Sequence, residues 1–419
     1  MKVLVIGSGG REHTLVWKLS QSPRVDKIYC APGNAGIGDM AELVNIKAED
    51  IEVLLGFALK KGIDLTVVGP EVPLVDGIAD RFEAEGLRIF APNKACAQLE
   101  GSKAFAKEFM IRHDIPTAKY KEYTNPDEAI SDIGIYGFPM VIKADGLAAG
   151  KGVIIAQDEK EAHEALSMIM KNKKFGDAGS KVVIEEFLDG IEASILCFVD
   201  GETIVPMVSA QDYKKAFDGD NGPNTGGMGT YSPSIIYNDD IKEKVENRIL
   251  KSFIDGLKAD GLNYRGVVFI GLMIKDGQPK VLEFNTRFGD PETQVVLSRL
   301  ETDLLDIIES ILEGRLKDQD IKWSDKKAVC VILASEGYPG KYEKGKAING
   351  LEDIKDAIVF HAGTRIVDGK VVTNGGRVLG VVATADTIDE ARNTVYKNID
   401  KINFEGKQYR TDIGEIALG

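Results

Sequence analysis

The 419-residue chain reads as a multidomain protein of mixed α/β and α+β class. Three observations predict this. Near the N-terminus, fully apolar strands alternate with amphipathic helices, the pattern of a parallel sheet covered on both faces. In the middle, alternating strands are joined by Asp-Gly turns, the pattern of antiparallel pairing. The last hundred or so residues hold several strands and one helix, a small α+β domain. At about 100–200 residues per domain the length allows two to four domains. The expected divisions are 1–100, 101–320 and 321–419.

In order, KVLVIG (Lys2 to Gly7) is a strand closed by glycine, followed by a helix from about Glu12 to Gln21 and the strand DKIYCAPGN. A helix near Glu49 to Lys60, the strand DLTVVGPE, a helix near Val75 to Glu85 and the strand RIFAP complete the first domain. A helix from Ser102 to His113 opens the second, followed by PMVIKAD, the loop GLAAGKG, GVIIAQ and a helix from Glu159 to Lys171. KVVIEEFL, EASILCFVDG and TIVPMVSA read as consecutive antiparallel strands. A polar, glycine-rich loop is expected from Gln211 to Pro233, then a long helix from Asp239 to Ala259, the hairpin GVVFIGLMIKDGQPKVLEFN, and two helices up to Gly314. The last domain offers AVCVILAS, IVFHAGT, KVVTNG, RVLGVVATA and a helix from Ile388 to Ile399.

The net charge of −14 repels nucleic acid and anionic membrane at long range. An anionic substrate must therefore meet a local cluster of Lys, Arg and backbone N–H groups. Cys30, Cys96, Cys197 and Cys330 form no Cys-x-x-Cys pair and are expected as buried thiols. No signal-type or membrane-spanning segment is seen, so the expected location is the cytoplasm. The histidines lack ligand spacing, and His113 and His163 are expected on helix surfaces.

GSGGREH lies between a strand and a helix but fails the dinucleotide fingerprint, because Glu12 stands at its third glycine. The second strand also ends Cys30-Ala31-Pro32-Gly33, with no acid for a ribose. A nicotinamide-dependent oxidoreductase is thereby disfavoured. Gly9, Gly10 and Arg11 still suit either a monophosphate site at a helix N-terminus or a plain tight turn. Asn34 in PGNAG and Glu71 in GPE end neighbouring strands, as sugar or amine contacts or as turn residues.

KADGLAAGKG brackets a flexible glycine loop (Gly146, Gly150, Gly152) with Lys143 and Lys151, suiting a flap over phosphates. It is not a Walker A loop. Glu185, Glu186 and Glu192 suit a nucleobase amine and ribose hydroxyls, or are solvated edge carboxylates. In LEFNTRFGDPETQ, Glu283 and Asn285 stand two apart on a strand and so share a face. Oxygen ligands so placed suit Mg²⁺ held jointly with nucleotide phosphates, and Arg287 follows as an anion clamp. In the Gln211–Pro233 loop, Asp212 suits an ammonium group and Lys214 an anion, while Gly226, Gly227 and Gly229 expose backbone. The absence of paired general acid and base fits phosphoryl transfer by positioning and charge neutralisation.

Together GSGGREH, PGNAG, GPE, GSK, IKADGLAAGKGV, IEEFLDG, SAQDYKKAFDGDNGPNTGGMG, EFNTRFGDPE and FHAGT…TNGGRVL resemble the glycinamide ribonucleotide synthetase (phosphoribosylamine–glycine ligase) family end to end. The resemblance implies a Rossmann-like N-terminal domain, a central ATP-grasp with a small flap subdomain near 120–190, and a C-terminal lid-like domain. It implies ATP, glycine and 5-phosphoribosylamine as substrates and Mg²⁺ or Mn²⁺ as cofactor. It assigns Lys103, Lys143, Gly150, Lys151, Gly152, Glu185, Phe187, Leu188 and Glu192 to ATP, and Glu283 and Asn285 to the metal. Gly9, Gly10, Arg11, Asn34 and Glu71 fall near phosphoribosylamine. Asp212, Lys214, Gly226, Gly227, Met228 and Arg287 fall near the amino acid and reacting carboxylate. Arg287, Lys143 and Asp212 are the expected catalytic set. A monomer is expected, a dimer being the alternative.

The chain departs from the family in two places, with Tyr213 where His is common and Thr286 where Cys is common. Related ATP-grasp carboxylases carry an acid on the strand before the metal motif, and GVVFIGLMI has none, which favours the glycine ligase branch. The remaining rivals are another carboxylate–amine ligase of the same fold and a non-catalytic nucleotide-binding regulator.

Overall fold

A computed structural model describes residues 1–148 and 152–417. Its first sheet is parallel and five-stranded, in the order Glu42–Leu43, Lys27–Pro32, Lys2–Gly7, Leu65–Val68, Ile89–Phe90. The chain starts at the centre and builds outward in both directions. The switch in direction lies beside Lys2–Gly7, and there an open α/β sheet leaves its ligand crevice at the strand ends. Val3, Leu4, Val5 and Ile6 are fully buried, because helices cover both faces.

The first helix, Gly10–Leu19, starts before the expected Glu12. Glu12 is what the failed fingerprint hides. Its carboxylate accepts the Gly9 N–H at 2.6 Å and so caps its own helix. Gly7 and Gly69 wall it in, and a Cβ on Gly69 would stand 2.0 Å from Glu12 Oε1. The helix expected at Val75 to Glu85 is instead two, Glu71–Asp76 and Ile78–Glu83. Gly77, at φ 93°, takes the left-handed conformation that ends the first.

Two antiparallel sheets follow. One runs Ile204–Pro206, Ile191–Val199, Gly266–Lys275, Gln278–Asn285. The other runs Tyr120–Tyr123, Val182–Glu186, Met140–Ala144, Val153–Ala156. This corrects the expected run of three consecutive paired strands. Val182–Glu186 belongs to the smaller sheet, and Asp189-Gly190 carries the chain across to the larger one instead of closing a hairpin. The long helix spans Asp239–Ala259 through a π turn at Glu246–Leu250. It buries Ile241, Val245, Ile249, Leu250, Phe253, Ile254 and Leu257 along one stripe.

The segment expected as a loop from Gln211 to Pro233 is strand-rich. Gln211–Asp212 pairs with Gly229–Ser232, which joins Lys327–Ser335, Arg377–Ala385 and Ile358–His361 in the last sheet. Lys215–Phe217 and Asn221–Asn224 form a hairpin between them. The helix Ile388–Ile399 opens on a capping box of Thr387 and Glu390.

One apolar core spans the chain's three regions. Val3 and Leu15, then Leu196, Val295 and Val296, then Ile332 and Phe360 belong to a single cluster. The helix Glu292–Ser298 runs through it and holds the site's loops in register. The four cysteines are buried and unpaired. His163 is exposed, but His113 is half-buried, its Nε2 lying 3.1 Å from Asp260. Among the described residues, no helix is long and apolar enough to cross a membrane.

The enclosure of Glu12 is testable. Gly69→Ala should lower stability by about 1–3 kcal/mol, because the new methyl must displace a buried carboxylate. Chemical unfolding followed by circular dichroism would reveal the loss, and an unchanged transition would contradict the packing around Glu12.

Candidate active site

The ends of Lys2–Gly7, Lys27–Pro32 and Leu65–Val68 bring three loops together, as expected. Two of their side chains turn inward. Arg11 donates from Nε to Glu12 Oε1 at 2.9 Å and from Nη1 to the Phe288 carbonyl at 2.9 Å. Asn34 donates to the Ser8 carbonyl at 2.9 Å and the His361 carbonyl at 2.8 Å, and accepts from the Gly36 and Ile37 N–H groups at 3.1 Å. Both side chains fasten the crevice to the rest of the chain.

Glu71 connects the crevice to the next region. Its Oε2 lies 3.1 Å from Arg287 Nε. Burial opposes its ionisation, but Arg287 and Arg11 outweigh burial and hold its carboxyl at about 2. Arg287 also reaches Glu100 Oε1 at 2.8 Å, the Phe288 carbonyl at 3.1 Å and Asn285 Oδ1 at 3.3 Å. Glu100 is buried and was not singled out from the sequence. Its other oxygen accepts the Thr286 N–H at 2.7 Å and lies 3.3 Å from the Thr286 hydroxyl. Thr286 is thus a donor to the acid that orients Arg287.

Glu283 and Asn285 share a face of Gln278–Asn285, with Asn285 Nδ2 3.4 Å from Glu283 Oε1. Burial would raise the Glu283 carboxyl, but Lys214, Lys143 and Lys103 together lower it below its ordinary value. An ionised carboxylate beside an amide oxygen fits a hard divalent cation completed by phosphate oxygens and water. Among the described residues no cluster of three or more acid, His or Cys groups is arranged for a metal.

The lysines come from three elements. Lys103 opens the helix Lys103–Arg112, and its Nζ donates to the Gly146 carbonyl at 3.1 Å. Lys143 is on Met140–Ala144, 2.9 Å from Glu185 Oε1. Lys214 follows Gln211–Asp212, 3.0 Å from Glu192 Oε2. Asp145 ties the flap's base to the Lys103 helix by accepting the Ala104 N–H at 2.7 Å. Gly150 and Lys151 lie outside the described residues, while the Gly152 carbonyl accepts the Ala144 N–H at 2.8 Å. Phe187 is exposed and Leu188 half-buried in the link between the two antiparallel sheets. Glu186 turns away, accepting the Lys119 N–H at 3.0 Å and pairing with Lys280.

Asp212 accepts from the Ser194 hydroxyl at 3.2 Å. Near it stands Glu292, buried at the start of Glu292–Ser298 and missed in the sequence, where it looks like a helix-opening acid. Burial, and then the Asp212 charge, push the Glu292 carboxyl up to about 8. A buried acid that feels the charge of a second buried acid suits a cationic amine. The Gly226–Gly229 turn is gripped from the C-terminal region. Gly226 N–H donates to the Tyr338 hydroxyl at 3.0 Å, and Arg377 donates to the Gly226 carbonyl at 2.7 Å and the Asp290 carbonyl at 2.6 Å. Met228 is fully buried, and its N–H donates to the Tyr213 carbonyl at 2.8 Å. The Tyr213 hydroxyl accepts the Gly414 N–H at 3.0 Å, a contact with the chain's C-terminal segment.

Residues 1–100, 101–293 and 328–416 match, in order, the N domain, the ATP-grasp (A) domain and the C domain of phosphoribosylglycinamide synthetase. The chain belongs to the phosphoribosylglycinamide synthetase family. A phosphoribosylamine–glycine ligase of Caldanaerobacter subterraneus subsp. tengcongensis is 56% identical over 413 residues, 99% of each chain. One of Halalkalibacterium halodurans is 51% identical over 419 residues, 100% of this chain and 97% of that one. The crystal structure of the Thermotoga maritima phosphoribosylamine–glycine ligase aligns with a TM-score of 0.87 at 36% identity, over 98% of this chain and 100% of that one. A Campylobacter jejuni biotin carboxylase, at 14% identity and a TM-score of 0.76 over 97% of this chain and 92% of that one, shares the family's fold.

The Asp212–Glu292 pair gives stability a sign with pH. The folded-state pKa of Glu292, about 8, stands above the ordinary 4.5, so the folded chain holds an extra proton between the two. The stability contributed by this group should therefore fall as pH rises from about 4.5 to about 8. Glu292→Gln should flatten that part of the profile in thermal melts, and a variant with the wild-type slope would show that Glu292 is ionised throughout.

Proposed function

We propose that the chain joins glycine to 5-phosphoribosylamine at the site centred on Glu283, Asn285 and Arg287. As a member of its family it is an ATP-dependent carbon–nitrogen ligase of purine biosynthesis, using ATP and a divalent metal. The observation that carries the reading is one of juxtaposition. Lys103, Lys143 and Lys214 surround the ionised Glu283, while Arg287 joins that cluster to Glu71 in the N-terminal crevice. A polyphosphate site and a sugar-type site thus share one guanidinium.

The reaction has two steps. A glycine carboxylate oxygen attacks the γ-phosphorus of ATP, giving glycyl phosphate and ADP. The amine of phosphoribosylamine then attacks the acyl carbon, phosphate leaves, and the amine's surplus proton is lost. Lys103 and Lys143 neutralise the ATP phosphates, and Arg287 stabilises charge developing on the glycine carboxylate and the transferring oxygens. Asp212 and Lys214, with the Gly226–Met228 turn, orient glycine, and the Asp212–Glu292 pair receives its ammonium group. Glu185, Glu192, Phe187 and Leu188 line the nucleoside end. Gly9, Gly10 and Glu71 meet phosphoribosylamine, in a crevice whose shape Arg11 and Asn34 maintain. Glu283 and Asn285 would hold Mg²⁺ or Mn²⁺, which supplies Lewis-acid neutralisation of phosphate charge. Gly150 and Lys151, with Gly152, are proposed as further contacts to the ATP phosphates.

The organisation we propose is a substrate domain over 1–100, an ATP-grasp over 101–320 with a flap near 120–190, and a closing domain over 321–419. The protein works as a cytoplasmic monomer.

Glu283→Ala should abolish glycine-dependent ADP release, a loss of about 100-fold or more, while leaving the circular dichroism spectrum unchanged. Normal turnover in that variant would remove the metal assignment. If glycine fails to elicit ADP release in the presence of phosphoribosylamine while another small amino acid succeeds, the substrate assignment falls with it.

A further inference from the structure

Lys107 belongs to none of the motifs described above. It lies one turn beyond Lys103 on the helix Lys103–Arg112 and is 2% exposed. Its Nζ is 2.9 Å from Glu185 Oε2 and donates to Thr117 Oγ1 at 2.8 Å. The other Glu185 oxygen is 2.9 Å from Lys143 Nζ. One carboxylate therefore stands between two ammonium groups where water is excluded. The three side chains come from a helix and two neighbouring strands, Val182–Glu186 and Met140–Ala144.

We propose that Lys107 is a positioning residue for ATP: by sharing the Glu185 carboxylate it leaves Lys143 with uncompensated positive charge for the phosphates. This rests on the reading of Lys143 as a nucleotide contact. Within this triad two ammoniums share one carboxylate, and a buried charge without a partner of its own is costly. A methionine or leucine would fill the same space without that cost. The cost is recovered when an anion arrives. Were Lys107 neutral, Glu185 would pair with Lys143 alone and cancel the charge that the phosphates need. The Thr117 hydroxyl, itself donating to the Val281 carbonyl at 2.7 Å, fixes Lys107 from the far side. Burial lowers the Lys107 ammonium to about 8, Glu185 opposes that fall, and Lys143 adds to it, so the two lysines sense each other across the shared acid.

The test uses the full-length protein with ATP, glycine and 5-phosphoribosylamine varied in turn. Lys107→Met should raise the KM for ATP about 10- to 100-fold and leave the KM values for glycine and phosphoribosylamine within about twofold. Lys107→Arg should restore most of the ATP affinity, since it keeps the charge. Thr117→Val keeps the charge but frees the ammonium, and should give a smaller rise confined to ATP. That variant decides the matter if Lys107→Met does not fold. An unchanged KM for ATP in the informative variant would overturn the proposal. So would equal losses for all three substrates with no rescue by arginine, the signature of a purely structural lysine. Lys143→Met separates the two levels. If it leaves ATP binding unchanged, the nucleotide reading itself fails. If it weakens ATP binding while Lys107→Met does not, only the positioning role fails.

Discussion

Arg287 is the buried charge on which the site's assembly depends. It takes Glu71 from the N-terminal crevice, Glu100 from the helix Lys94–Gly101, and Asn285 from its own strand end. Burial works against its charge, but Glu100 and Glu71 keep it firmly protonated. Breaking a buried pair by removing one partner typically costs about 3–5 kcal/mol, because the remaining charge is left unpaired. Three separate stretches are therefore obliged to meet at one guanidinium. The crevice that would hold a sugar phosphate and the face that would hold a metal are brought together by that obligation.

The rest of the site is two groups of buried charged side chains. Around Glu283 three lysines gather on one carboxylate, and near Asp212 the buried carboxyl of Glu292 is held protonated by burial and by the Asp212 charge. Each grouping is costly to bury and is relieved by a ligand of opposite sign. A polyphosphate suits the first and an ammonium group the second. Such local organisation also explains how a chain with a net charge of −14 can handle a highly anionic substrate. The neutralising groups are focused around Glu283.

Much of this was legible in sequence where chemistry is local. The strand Lys2–Gly7, the helix Ile388–Ile399 with its Thr387 cap, and the Glu283–Asn285 face follow from apolar runs, capping residues and the two-residue strand period. What failed depended on distant partners. Gln211–Asp212 and Gly229–Ser232 are short and polar, and they are strands only because Lys327–Ser335 offers them an edge about a hundred residues later. Val182–Glu186 has the alternation of a hairpin arm, and nothing local reveals that it belongs to another sheet. Glu100 and Lys107 look like ordinary helix charges, and only their burial against Arg287 and Glu185 marks them. Arg11 and Asn34 show a second kind of distant partner. Their side chains also bond Glu12 and backbone carbonyls of Ser8, Phe288 and His361, contacts that nothing local in the sequence reveals.

In the proposed mechanism the carboxylate of glycine accepts the γ-phosphoryl group of ATP at this site before the amine attacks. Glycine labelled with heavy oxygen in its carboxylate tests it directly. A single turnover with ATP and phosphoribosylamine should transfer one labelled oxygen from each glycine to the released inorganic phosphate. Phosphate released without label would contradict it.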